Sequence, residues 1–191
     1  DVYMRQPRYY VCNAYGVCGI YSAPGTAVKE AYDTSGIVTN DRGVTVWLKG
    51  NRVSRNQIMA IKEESVTEQK NSLAVCLDNI LRHAGITRNT EYDLAQGKTA
   101  TTILSENMTG VQVLDLSGCT LDAVLYYVNQ DIPVLAILED GEAVLVTGFN
   151  EFNVVIMEPA TGKLYKKGMN DATAWFAENG NHFITYMRIE N

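Results

Sequence analysis

The stretch "NSLAVCLDNILRHAGI", residues 71–86, decides how the larger part of this chain folds. Leu73, Cys76, Leu77, Ile80, Leu81 and Ala84 recur at spacings of three and four, which lays a single apolar stripe along a helix. Asn71 or Ser72 is the natural N-cap, because a short polar side chain accepts from the free amides of the first turn, and Gly85 supplies the stop. With that start, Cys76 lies a full turn inside the helix and points to the core.

Toward the C-terminus, a polar stretch leads to "VQVLDLSGCTLDAVLYYVNQDIP", which reads as a strand and then a helix capped near Ser117 or Thr120, with Leu121, Val124, Leu125 and Val128 inward. Pro133 opens "PVLAILEDGEAVLVTGF", two strongly apolar strands joined at Asp140 and Gly141. "NVVIMEP" and "KLYKKG" are further strands around the turn "ATG". "NDATAWFAENG" is a helix capped at Asn170 or Asp171 and stopped at Gly180, and "HFITYM" is the last strand. Two helices followed by mostly antiparallel strands make residues 66–191 an α+β unit.

Toward the N-terminus, residues 51–70 are largely polar and read as a connector. Before them, "YYVCNA" and "VCGIYS" pair around a turn, "SAPGTAVKEAYDTSG" carries a helix with Ala27, Val28 and Ala31 inward, and "GIVTNDRGVTVWLKG" is a hairpin around Asn40, Asp41 and Gly43. Residues 1–65 thus form a small hairpin, helix and hairpin subdomain with its connector. Trp47 and the tyrosines of these strands read as packing in preference to a ligand-stacking surface.

Composition bounds the function. The 191 residues are 46% hydrophobic and 20% charged, enough for a real core. A net charge of -6 argues against nucleic acid as a partner, since phosphate binding needs a basic surface. No apolar run approaches the ~18 to 20 residues that span a bilayer, and "DVYMRQPRYY" has no signal-peptide core. There is no C-x-x-C pair, and His83 and His182 are far apart in sequence, so neither a metal site nor a cofactor is expected. Cys12 and Cys18 flank a turn and are either a hairpin disulfide or two reduced thiols; the bond would place the protein outside a reducing compartment.

The order of elements from about residue 68 to 187 resembles the papain-like cysteine peptidases that cleave double-glycine leaders of bacteriocins, and their relatives on bacterial surfaces. Four features carry the resemblance: Gln69 ahead of a helix that ends in Gly85-Ile86, "VLYYVNQDIPVLAIL" leading through a proline into an apolar strand, "GEAVLVTGFN", and "EPATG". The resemblance implies a papain-like fold, a peptide or protein partner, and an extracellular or cell-surface location in a bacterium.

Such peptidases need a thiolate at a helix N-terminus, an imidazole as base, a group that orients the imidazole, and a glutamine that stabilises the oxyanion. Matched onto this chain, the nucleophile position falls on Ser72, the histidine position on Glu142 and the orienting position on Glu158, while Gln69 corresponds to the glutamine. A serine without a base is no nucleophile, and a carboxylate serves as base only where a closed, dry site raises its affinity for protons. The resemblance therefore implies a peptidase-type domain that has lost its chemistry and kept a cleft for a partner.

Two rivals stand beside it. In one, the chain is an active cysteine peptidase with Cys76 as nucleophile and His182 as base. In the other, it is a structural module whose hairpin "YYVCNAYGVCGIY" is the docking edge. Cys76 itself is open to three readings: a bond to Cys119, an inert core thiol, or the nucleophile.

Overall fold

The computed structural model describes residues 7–49 and 71–189. The connector 51–70, with Gln69 inside it, lies outside the described residues.

The first four strands and one helix follow the sequence pattern closely. β1 (Tyr9–Cys12) and β2 (Cys18–Tyr21) form a hairpin, α1 (Pro24–Thr34) follows, and β3 (Ile37–Asn40) and β4 (Thr45–Leu48) form a second hairpin. They make one antiparallel sheet in the order β2-β1-β3-β4. Cys12 sits opposite Cys18 across the first hairpin and the two are joined by a disulfide. Asn13 shapes the turn between them, its Oδ1 accepting from the amides of Tyr15 and Val17.

The helix of residues 71–86 is α2 (Ser72–His83). Asn71 caps it, its side chain accepting from the amides of Leu73 and Ala74. At the other end Gly85 takes φ +85°, and the amides of Gly85 and Ile86 return to the carbonyls of Arg82 and Leu81 at 2.9 and 2.8 Å. A left-handed glycine with these two bonds satisfies the last carbonyls and fixes the exit of the chain.

The next stretch departs from the expectation. Two helices, α3 (Glu91–Ala95) and α4 (Ala100–Asn107), occupy what reads as a polar linker, so more than two helices precede the main sheet. Their apolar content is small, and Ile103 and Leu104 alone bury large side chains in α4. So short a pattern carries little periodic signal, and the helix is held by packing on α2 and the strand that follows. Arg88 braces this corner with a bidentate pair to the buried Asp93, both contacts at 2.9 Å.

β5 (Val111–Asp115), α5 (Leu121–Val128), β6 (Val134–Ile137), β7 (Ala143–Phe149), β8 (Asn153–Glu158), β9 (Lys163–Gly168), α6 (Met169–Glu178) and β10 (His182–Arg188) complete the fold. The strands form an antiparallel six-stranded sheet in the order β5-β10-β6-β7-β8-β9. Thr120 caps α5 through its hydroxyl. Helix α6 starts earlier than its polar residues suggest: Gly168 is the N-cap, with no side-chain cap, because β9 runs straight into the helix. Asn170 and Asp171 therefore lie in the first turn, where the Asp171 carboxylate complements the helix dipole.

A single apolar cluster runs through both sheets, with Tyr127, Phe176 and Phe183 among its largest fully buried members. The small sheet docks on α5 through specific bonds. Trp47 Nε1 donates to the Ala123 carbonyl at 3.0 Å, and Tyr127 Oη donates to the Val46 carbonyl at 2.8 Å. The buried Trp47 is thus a packing residue, as its place in a strand implies. Gly25 sets the closest approach: a Cβ there would lie 2.7 Å from the Ser117 carbonyl oxygen, so α1 reaches the β5–α5 loop only with glycine at this position.

The helix starts, the order of strands and the antiparallel pairing make this an α+β fold. No helix among the described residues is long and apolar enough to cross a membrane.

Candidate functional site

Helix α2 enters the fold with its N-terminus against the start of β7. Ser72, the first residue of the helix, accepts a hydrogen bond on Oγ from the amide of Ala143 at 2.9 Å. Ala143 is the neighbour of Glu142, so two positions seventy residues apart in sequence, Ser72 and Glu142, meet at one end of the sheet. Glu142 itself is exposed, and its amide donates to Asp140 Oδ1 within the β6–β7 turn. The closed, dry surroundings that a carboxylate base requires are not built around it.

Glu158 ends β8, one residue beyond Met157, which pairs with Leu145 of β7. Its Oε1 accepts from the Ala160 amide at 3.1 Å, closing the turn before β9. The carboxylate is near enough to act on two neighbours: after burial itself, it is the cause that holds the Cys76 thiol and the Tyr165 phenol above their ordinary ionisation ranges. Glu158 thus belongs to the same corner as Ser72 and Glu142.

Cys76 corrects two expectations. Its side chain is completely buried, a full turn below the start of α2, and burial followed by the Glu158 charge keeps the thiol protonated well above the usual range. A nucleophilic cysteine needs the opposite, an accessible thiolate stabilised by positive charge or a helix terminus. Cys76 is also not bonded to Cys119. Both are free, buried thiols, and Cys119 Sγ donates to the Gly25 carbonyl at 3.2 Å, under α1. Cys12 and Cys18 are the pair that bonds.

The two histidines lie elsewhere. His83 is at the far end of α2, where Nε2 meets the backbone carbonyl of Asp131 at 3.1 Å. His182 begins β10, with Asp115 Oδ1 at 4.0 Å. Cross-strand register puts His182 opposite Ile137 and Ile137 opposite Ala143, so the imidazole shares this end of the sheet but stands two strand spacings away. That is on the order of 10 Å, whereas a general base must lie within about 2.6–3.2 Å of the proton it takes. The recruitment of His182 by Cys76 is therefore not realised.

Comparison with known proteins agrees with this arrangement at the level of fold. A solved structure of a protein assigned as a C39-like peptidase from Bacillus anthracis superposes with a TM-score of 0.58 at 12% identity, covering 72% of this chain and all of that one. This chain has a C39-like peptidase fold. Neither a family model nor a curated protein matches the sequence. In this chain the N-terminus of α2 is held against the start of β7 at the corner of Ser72 and Ala143. Gln69 falls outside the described residues. Among the described residues, no three metal-ligating side chains converge.

Sequence reasoning missed the group that meets Ser72, because it is a backbone amide and leaves no mark on the side-chain pattern. It also missed Tyr165, half-exposed on β9 beside Glu158; only the strand pairing brings it there.

Proposed function

We propose that this chain is a papain-like peptidase-type domain without peptidase chemistry, which uses the corner around Ser72, Glu142 and Glu158 to bind a peptide or protein segment. The observation that carries the reading is the 2.9 Å bond from the Ala143 amide to Ser72 Oγ. At the position where the resemblance expects a thiolate, there is a hydroxyl engaged with backbone; at the position where it expects an imidazole, there is an exposed glutamate. The hydroxyl joins helix to sheet and keeps the corner in shape, which supports binding and offers no base for hydrolysis. The exposed edge of the corner, with Glu139, Asp140 and Glu142, favours a partner segment that is basic.

The Cys12–Cys18 bond supports an oxidising location, and with the family resemblance it supports a bacterial cell surface or the extracellular space. The acidic net charge supports a protein partner over nucleic acid.

The test has two arms. The protein is incubated with fluorogenic peptides, including double-glycine leaders, and peptides are selected for binding from a displayed library. No turnover, together with selected peptides that bind the wild type and lose affinity with Glu142→Lys, is the expected result. Turnover that disappears with Ser72→Ala overturns the loss of catalysis; selected peptides indifferent to Glu142→Lys overturn the binding site.

A second reading, a structural module that docks through the first hairpin, is favoured by one observation. Tyr15, Val17 and Ile20 are 91%, 67% and 64% exposed on and beside the edge strand β2. Uncharged edges with exposed apolar side chains favour association. Val17→Lys with Ile20→Lys abolishing partner capture, while Glu142→Lys does not, would support this reading over the first.

A further inference from the structure

A cavity lies at the opposite end of α2 from Ser72. It measures about 580 Å³ and opens between the end of α2, the α4–β5 connection and the end of β10. That volume falls in the range of small-molecule sites, about 300–1,000 Å³. Ile86, Met108 and Val111 give it an apolar wall, and Tyr186 and Arg188, successive members of one face of β10, bring polar groups into it.

Two donors point to what it would hold. Tyr186 is a largely buried residue whose hydroxyl makes no hydrogen bond to the described residues and stays open to the cavity it lines. A hydroxyl open to the cavity is free to donate to whatever occupies it. Arg188 spends one N–H on the Gln130 carbonyl at 3.2 Å, and a guanidinium has five. The remaining donors and the phenol together offer a fork of hydrogen bonds with one positive charge. The negative charges nearby limit the ligand. Asp131 stands behind His83, with Oδ2 3.6 Å from His83 Nε2, and repels a second full negative charge. One guanidinium, one phenol, an apolar wall and a nearby carboxylate suit a monoanion with an apolar body.

We propose that this cavity binds a carboxylate carried on a small apolar group, with Arg188 holding the charge, Tyr186 donating through its hydroxyl, and Ile86, Met108 and Val111 packing the body. A free organic acid and the C-terminal residue of a peptide share this chemistry. The proposal is independent of the reading of the Ser72 corner, since it uses none of that corner's residues.

The test uses the full chain and two probes, octanoate and N-acetyl-leucine, each beside its uncharged primary amide. Binding is followed by shifts of the Thr109, Gly110 and Val111 amide signals in ¹H–¹⁵N spectra. Saturable shifts with the acids, at dissociation constants on the order of 1 mM or tighter, and none with the amides, are expected. N-acetyl-leucine winning over octanoate indicates a peptide terminus, and the reverse a free acid. Arg188→Gln should weaken the acids about tenfold and Tyr186→Phe about threefold, with Arg188→Lys between wild type and Arg188→Gln and Glu151→Gln without effect. Equal binding of acid and amide, no saturable shift with either acid, or affinity unchanged by Arg188→Gln in a variant that keeps the wild-type spectrum elsewhere would overturn the proposal.

Discussion

Ser72 Oγ accepts the amide proton of Ala143 at 2.9 Å and thereby joins the first turn of α2 to the first residue of β7. Ala143 is 1% exposed, so its amide has little alternative partner. Ser72→Ala removes the acceptor and leaves the donor buried, a loss of about 1–2 kcal/mol. A lowered urea midpoint at constant m-value would show it. Stability unchanged by the substitution would mean that water replaces the hydroxyl and that Ser72 does not hold the corner together.

The thiols separate into two classes by accessibility. Without reductant, alkylation of the folded protein should label no cysteine; after mild reduction it should add to Cys12 and Cys18 only, and to Cys76 and Cys119 once the chain is unfolded. Peptide mapping by mass reads the result directly. Fast labelling of Cys76 in the folded state would restore it as a nucleophile. Loss of the hairpin disulfide should cost about 2 kcal/mol, as expected for a short closed loop.

Cys119 also gives a pH signature. Burial pushes its thiol up to about 12, while a thiol in the unfolded chain ionises near ~8.5. The folded state therefore keeps a proton that the unfolded state releases. Its contribution is complete below about pH 8.5 and falls by about 1.4 kcal/mol per pH unit above it, until the folded thiol ionises too. Cys119→Ala should show a shallower alkaline decline than the wild type in urea titrations between about pH 8.5 and 10. Parallel declines would contradict the assignment.

Arg88 and Asp93 give the opposite sign. The bidentate guanidinium, first by hydrogen bonding, holds the Asp93 carboxyl below the usual carboxylate range. A depressed carboxyl stabilises the fold above its unfolded value, near ~3.9, and that stability is lost as pH falls through the lower folded value. Arg88→Gln should therefore lower the urea midpoint at neutral pH, and the gap from wild type should narrow below about pH 4. A gap that stays constant with pH would show that Arg88 acts by packing alone.

Docking of the small sheet rests in part on the buried bond from Tyr127 Oη to the Val46 carbonyl, 2.8 Å. Tyr127→Phe leaves that carbonyl without its partner at a cost of about 1–2 kcal/mol. Limited proteolysis should then cut within residues 9–49 sooner than in the wild type. Unchanged digestion would place the docking energy in the apolar contacts instead.

Much of the architecture was legible because its signals are local. Asn71, Thr120 and Gly85 mark helix ends through side chains or a backbone freedom that no neighbour need supply. The β6–β7 hairpin is equally plain, two apolar runs about Asp140 and Gly141. Helix α3 escaped because five residues carry little periodic signal, helix α4 because contact with α2 and β5 stabilises so short a segment, and the start of α6 because chain continuity from β9 overrides its polar caps.

The sequence by itself determined the α+β order and the inward face of α2, which turns Cys76 toward the core, since helical periodicity depends only on spacing along the chain. Only the tertiary structure decided which groups meet. Strand register brought Ala143 to Ser72 and kept His182 two strands away, and packing left Cys119 bonded to Gly25 instead of Cys76. It also gathered Tyr186 and Arg188 around a cavity with Ile86 and Met108 from distant parts of the chain. Such meetings depend on long-range pairing between residues whose separation in sequence carries no periodic trace.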